Sequence, residues 1–169
     1  VGYFIVQEID LLLRPKPNWD EKLVEIDPVF DVESGKWVQT FEILKLTKEE
    51  HDSRFHEKAT SLVANLASNR RQKERWPLTI NGIPFQIDDS SVSRLVITAM
   101  TSGPEDVIYW KGADNKFYSL TLESIENALL EIRKYVQSCF DKEQTILTQI
   151  ENAKTIQDLL KIESQILNF

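Results

Sequence analysis

The chain has 169 residues, 41% hydrophobic and 28% charged, with a formal net charge of -7. That is enough apolar material for one ordinary core with a small appended module. The acidic balance argues against work on a phosphate backbone, which needs surplus Lys and Arg on one face, and the single cysteine, Cys139, excludes an internal disulfide and suits a reducing cytoplasm.

The first apolar stretch, Tyr3 to Val6 and then Ile9 to Leu13, is interrupted by Gln7, Glu8 and Asp10. It is too short and too acidic for a spanning helix and lacks the basic leader and small-residue cleavage site of a secretory signal. Neither membrane nor nucleic acid is an expected partner. The chain begins with Val1 rather than Met, which leaves the start of the gene product open.

From Val1 to Leu46, aromatic and β-branched residues alternate with Pro15, Pro17, Pro28 and Gly35. Val29 to Val32, the turn formers Glu33-Ser34-Gly35-Lys36 and the run Trp37 to Ile43 predict a β-hairpin. A lone hairpin is barely stable in water, so this arm is expected to lean on another chain or on the rest of its own. Thr47-Lys48-Glu49-Glu50 is a capping box that starts a helix, which then runs without Gly or Pro to Trp76. Phe55, Ala59, Leu62 and Leu66 trace a narrow stripe on it, and Arg70, Arg71, Lys73 and Arg75 fall where cations favour the negative end of the dipole. A helix of that length is a rod of roughly 42 Å, fit for a coiled-coil seam or a connecting strut.

Leu78-Thr79-Ile80, Asn81-Gly82 and Ile83 to Ile87 predict a second hairpin, because Asn-Gly readily supplies the two positive φ angles of a type I′ turn. Pro84 cannot donate to a ladder and belongs at an edge or bulge. Asp88 or Asp89 caps a short helix with Val92, Leu95, Val96 and Ala99 on one face, ended by Gly103-Pro104. Strands Val107 to Trp110 and Lys116 to Leu120 flank a turn in which Gly112 and Asn115 can take left-handed conformations. Thr121 caps a long helix in which Leu122, Ile125, Leu129, Ile132, Val136, Cys139, Ile146 and Ile150 keep a heptad rhythm, with Glu143 the single polar intruder. Thr155 to Asp158 recaps a short amphipathic tail bearing Ile156, Leu159, Leu160, Ile166 and Leu167.

The residue types that carry chemistry have bland readings. His51 and His56 are five apart on a helix, off a common face, and no cysteine or third histidine completes a metal set. Cys139 sits at a seam position and reads as a buried inert thiol. Asp88, Asp89 and Asp114 fit caps and turns better than an acid and base pair, and the run Arg70 to Trp76 fits a helix terminus better than a stacking platform. No phosphate loop, nucleophile elbow or zinc-protease motif is present, so no cofactor is expected. Trp37, on a thin β element, is the better interface tryptophan, and Trp110 the better core one.

Asn81-Gly82-Ile83-Pro84-Phe85, Asp88 to Arg94, Trp110, Ala113-Asp114-Asn115, Thr121-Leu122, Ile150, Ala153 and Thr155 to Leu159 together resemble a family of uncharacterised domains found in bacteriophage tail-fibre and tail-fibre-assembly proteins. Trp37 to Glu42, followed by Leu46-Thr47 and Glu49-Glu50, is similar to the segment before the long helix of phage tail assembly chaperones. The likeness covers most of the chain after Asp27, leaves Val1 to Lys22 outside, and carries over no catalytic residue.

The expected architecture is α+β: a β-rich arm over residues 1–46, a long connecting helix over 47–76, and a C-terminal domain over 77–169 of two hairpins, a short helix and a long heptad-patterned helix. The resemblance implies a non-enzymatic part of a phage tail, at the baseplate or a fibre attachment, made in the host cytoplasm and located in the virion tail. Its partners would be other tail, baseplate or fibre proteins and a second copy of itself, with Trp37, Phe41, Phe55, Leu62, Leu66, Ile132 and Val136 as interface candidates. A fibre-assembly chaperone missing from the finished particle is the nearest alternative. An enzyme acting on host surface polymer, which needs converging carboxylates in a groove, is the distant one.

Overall fold

The computed structural model describes residues 14–33 and 35–168. The apolar stretch from Tyr3 to Leu13, within the Val1 to Lys22 segment left outside the likeness, and Ser34 of the first turn lie outside the described residues. The fold is α+β, with three two-stranded antiparallel sheets and four helices among the described residues. It divides into two compact units, residues 1–57 and 58–169, and the boundary falls inside the long helix that the sequence sets apart as a connector.

In the first unit, β1 (Glu21–Asp31) pairs with β2 (Lys36–Lys45). β1 starts well before the predicted Val29, because Leu23, Val24 and Ile26 continue the pairing opposite Ile43, Glu42 and Thr40. Pro28 does not end the strand: the register shifts between Ile26 and Val29, and a bulge places Pro28 where no ladder donor is needed. Gly35 sits at φ +66, the left-handed value the tight return requires. The Thr47 capping box opens α1 (Lys48–Lys73) as predicted: the Glu50 amide donates to Thr47 Oγ1 at 3.2 Å and the Thr47 amide to Glu50 Oε2 at 2.9 Å. Arg54 Nη1 donates to the carbonyls of Trp19 and Glu21, and Lys22 pairs with Glu50, so the base of the hairpin is tied to the first turns of α1.

The second unit holds the rest of α1, the hairpin β3 (Leu78–Ile80) and β4 (Ile83–Phe85), α2 (Asp89–Thr101), the hairpin β5 (Ile108–Lys111) and β6 (Phe117–Leu120), α3 (Leu122–Asn152) and α4 (Ile156–Leu167). Asn81 at φ 50 and Gly82 at φ 80 make the predicted primed turn. Asp88 is the cap of α2. In the next turn Asn115 takes the left-handed conformation at φ 66, whereas Gly112 does not. Glycine serves there by its size: a Cβ on Gly112 would lie 2.8 Å from the Tyr118 ring, 2.8 Å from Asp114 Oδ1 and 3.1 Å from the Pro84 carbonyl. That close approach lets the Ala113 amide donate to the Pro84 carbonyl at 2.7 Å, which joins the two hairpins.

α3 is the spine of this unit. Near its start, Ile125, Ala128 and Ile132 form one core with Ile80, Phe85, Ile87, Leu95 and Leu120, against which Trp110 also packs. Farther along, Cys139, Ile146 and Ile150 are buried, as are Leu62 and Leu66 of α1 and Ile156, Leu159, Ile162 and Ile166 of α4. Polar ties bind these three helices together: Lys58 to Glu163 at 2.7 Å, Asn69 Nδ2 to the Ile166 carbonyl at 2.8 Å, and Arg70 Nε to Glu143 at 2.8 Å. The heptad stripe is therefore satisfied within one chain. In α4 the buried stripe takes Ile162, which the sequence reading omitted, and leaves Leu167 exposed.

Candidate interaction surface

Among the described residues, the largest concentration of exposed apolar side chains lies on the β1–β2 hairpin. Period-two alternation along β2 puts Trp37, Gln39, Phe41 and Ile43 on one face and Val38, Thr40, Glu42 and Leu44 on the other. Their cross-strand partners extend both surfaces: Phe30 and Leu23 stand opposite Trp37 and Ile43, and Val29 stands opposite Val38. The ribbon thus carries apolar side chains on both faces, where a sheet lying on a core would be polar on one. Trp37 is 54% exposed and Phe30 45%, and their rings meet edge to face at a centroid distance of 5.5 Å. Such a pair is rigid and largely apolar, with two χ angles per ring to immobilise, which suits a binding anchor. Phe41 is half-buried, with the Arg14 guanidinium 5.6 Å from its ring centroid.

The interface candidates are not brought to one place. Trp37 and Phe41 share a hairpin face, and Phe55 is half-buried on α1 in the same unit. Leu62 and Leu66 are 1% and 0% exposed, and Ile132 is 3% exposed. Those three belong to the chain's own core, which corrects their place among the interface candidates; a narrow seam suits an intramolecular neighbour as well as an intermolecular one. Val136 is half-buried and lines, with Val92, Val96, Leu129 and Phe140, an open groove of about 700 Å³ between α2 and α3. The groove's two carboxylates are both held by arginines: Glu74 pairs with Arg70, and Asp89 with Arg75 at 2.9 Å.

The chemistry-bearing side chains take structural places. Asp88 accepts from the Ser90 and Ser91 hydroxyls and from both their amides, and these bonds hold its carboxyl far below the usual carboxylate range. Asp114 accepts from the Tyr118 hydroxyl at 2.9 Å and the Lys116 amide at 3.1 Å. Burial pushes the Cys139 thiol up, away from the thiolate. Of the basic run, Arg70 lies between Glu74 and Glu143 with its guanidinium 4.4 Å from the Phe140 ring centroid, and Lys73 sits 5.8 Å over the exposed Trp76. Among the described residues no three His, Cys, Asp or Glu side chains converge as a metal-binding group, and no helix is long and apolar enough to cross a membrane.

The exposed Ile26 and the half-buried Leu23 join the ribbon unforeseen from sequence, because Pro28 reads as a break unless the bulge is known. Edge placement of Phe30 against Trp37 depends on the same shift.

No curated protein and no solved structure matches the chain. One domain family does, a domain of unknown function designated DUF4376, over residues 56–164. The match begins within two residues of the boundary between the compact units and runs to the last turn but one of α4, leaving the apolar hairpin outside it. With most of its length inside that match, the chain belongs to the DUF4376 family of domains of unknown function.

Proposed function

We propose that this chain is a non-enzymatic component of a bacteriophage tail, seated at the baseplate or a fibre attachment, which works by docking its β1–β2 hairpin onto other tail proteins. The observation that carries this reading is the set of apolar side chains on both faces of the hairpin, crowned by the exposed Phe30–Trp37 pair. Ribbons of this kind gain most of their stability from whatever covers them. The tail assignment itself comes from the resemblance carried by Trp37 to Glu42 and by the Asn81 to Leu159 block.

The test is co-purification with the tail proteins encoded beside it, using the native chain and a Trp37→Ala/Phe41→Ala variant. A stoichiometric complex that the variant loses by tenfold or more in affinity supports the proposal, since truncated anchors of this type cost about 1–4 kcal/mol each. A variant that binds as well as the native chain sinks the hairpin's role. Mass spectrometry of purified virions then separates the two tail readings: stoichiometric presence fits a structural part, whereas absence from the particle fits a fibre-assembly chaperone.

A further inference from the structure

The two outer edges of the hairpin differ in kind. β1 carries Pro28, a bulge, and four carboxylates in Glu21, Glu25, Asp27 and Asp31. Proline, bulges and charge are the devices that keep an edge strand from pairing with another chain. β2 is ten residues from Lys36 to Lys45 with no Pro, no Gly and no extra residue at the bulge, and it is rich in aromatic and β-branched types. Among the described residues no strand pairs with its outer edge, which is a ready template for a further one.

One hydrogen bond sets which backbone groups that edge presents. The Leu46 amide donates to the Asp20 carbonyl at 2.8 Å. Backbone groups alternate along a strand, so the even-numbered residues of β2 turn their N–H and C=O toward β1. The odd-numbered ones, Trp37, Gln39, Phe41, Ile43 and Lys45, turn theirs to the open edge. A second copy of β2 pairing antiparallel with the first must therefore set odd residues opposite odd.

Few registers meet that condition, and their charges differ. With Gln39 opposite Gln39 of the second copy, Lys36 falls opposite Glu42, Trp37 opposite Phe41 and Val38 opposite Thr40, each twice by two-fold symmetry. Centring on Val38, Thr40 or Phe41 leaves Lys36 and Glu42 opposite neutral residues or beyond the overlap, and centring on Glu42 sets two carboxylates together. Among the described residues neither Lys36 nor Glu42 closes an ion pair within its own chain.

We infer that β2 is a self-pairing edge: two copies of the chain join β2 to β2 in the Gln39-on-Gln39 register and form a four-stranded sheet ordered β1, β2, β2, β1. Two Lys36–Glu42 pairs and two Trp37–Phe41 contacts select the register. This rests on the reading of the hairpin as a docking surface and names a second copy as one of its partners.

The register makes a cross-linking experiment specific. In the full chain, Gln39→Cys places two thiols on the symmetry axis, with Cα atoms about 5.5 Å apart, inside disulfide range. Mild oxidation should convert that variant to a covalent dimer. Lys36→Cys, about 20 Å from its own counterpart in this register, should not cross-link. By sedimentation, Lys36→Glu or Glu42→Lys alone should weaken dimerisation about tenfold, and the two together should restore it. A native chain that stays monomeric at high concentration, a Lys36→Cys variant that cross-links as fast as Gln39→Cys, or a double reversal that rescues nothing would each overturn the inference. A monomer that still binds tail proteins through Trp37 would overturn it while leaving the tail reading intact. A dimer that binds no tail protein would uphold it while counting against that reading.

Discussion

Arg70 Nε lies 2.8 Å from a carboxylate oxygen of Glu143, and this contact explains why a heptad stripe of apolar residues contains one acid. Both side chains are largely withdrawn from water, at 12% and 15% exposure. Arg70 also holds Glu74 and lies against the Phe140 ring, so one guanidinium joins α1 to α3. Glu143→Ala is expected to destabilise the chain by about 1–3 kcal/mol in urea unfolding, because it removes one partner of a nearly buried charge. Arg70→Met combined with Glu143→Leu should cost much less than the sum of the single changes, since an apolar pair needs no compensation. A strictly additive double mutant would show that the two groups do not act together.

Gly112→Ala should be among the most damaging small substitutions in the second unit. Its Cβ would meet the Tyr118 ring and the Asp114 carboxylate at 2.8 Å, and the Pro84 carbonyl cannot retreat without breaking its bond to Ala113. Overpacking of this kind costs about 1–3 kcal/mol. Gly82→Ala, by contrast, meets nothing within 4 Å and suffers only from φ +80, at about 1 kcal/mol. Thermal unfolding of the two variants should rank them in that order.

Asp88 links stability to acid. Its folded-state pKa is depressed, first by the Ser90 hydroxyl, then by the Ser91 hydroxyl and amide. The unfolded value is about 3.9. The stabilisation is therefore fully present above about pH 5 and is lost as the pH falls below the unfolded value toward the folded one. Asp88→Asn keeps an N-cap acceptor but removes the titration. The stability difference between native chain and variant should be largest near neutrality and shrink steadily toward pH 2, read from urea midpoints.

Cys139 is buried, and burial raises its pKa. In the folded chain at pH 7.4 its alkylation should be slower than that of a free thiol by a hundredfold or more. The rate should track opening of the helical bundle, rising steeply with subdenaturing urea. Alkylation at the free-thiol rate would place the residue outside the packed seam.

The fragment of residues 47–169 should fold without the hairpin. It contains the whole family match and the whole of the second unit, including the ties from Lys58, Asn69 and Arg70 to α3 and α4. Its urea midpoint should lie close to that of the main transition of the full chain. A fragment without a cooperative transition would show that the second unit depends on the arm.

Local chemistry made most elements legible. Thr47 with Glu50, Asp88, Thr121 and Thr155 with Asp158 mark helix starts because each side chain satisfies amides within its own first turn. Asn81-Gly82 marks a turn because both residues accept positive φ. Longer-range facts were illegible for a stated reason. Pro28 reads as a strand breaker, yet a bulge absorbs it, and a bulge is a property of two paired strands. Gly112 reads as a left-handed turn residue, and only the approach of Pro84 and Tyr118, distant or across the turn, reveals a requirement for size.

The sequence by itself determined the α+β class, the order of the elements, their caps and turns, and the absence of a familiar catalytic motif, because these rest on interactions within a few residues. The tertiary structure alone decided which apolar stripes are core and which are surface. Leu62, Leu66 and Ile132 carry the same spacing as a coiled-coil seam and are buried within one chain, while Phe30 and Trp37 on the ribbon stand exposed. Period fixes which residues share a face, but the neighbour that covers that face is set by contacts between segments far apart in the chain.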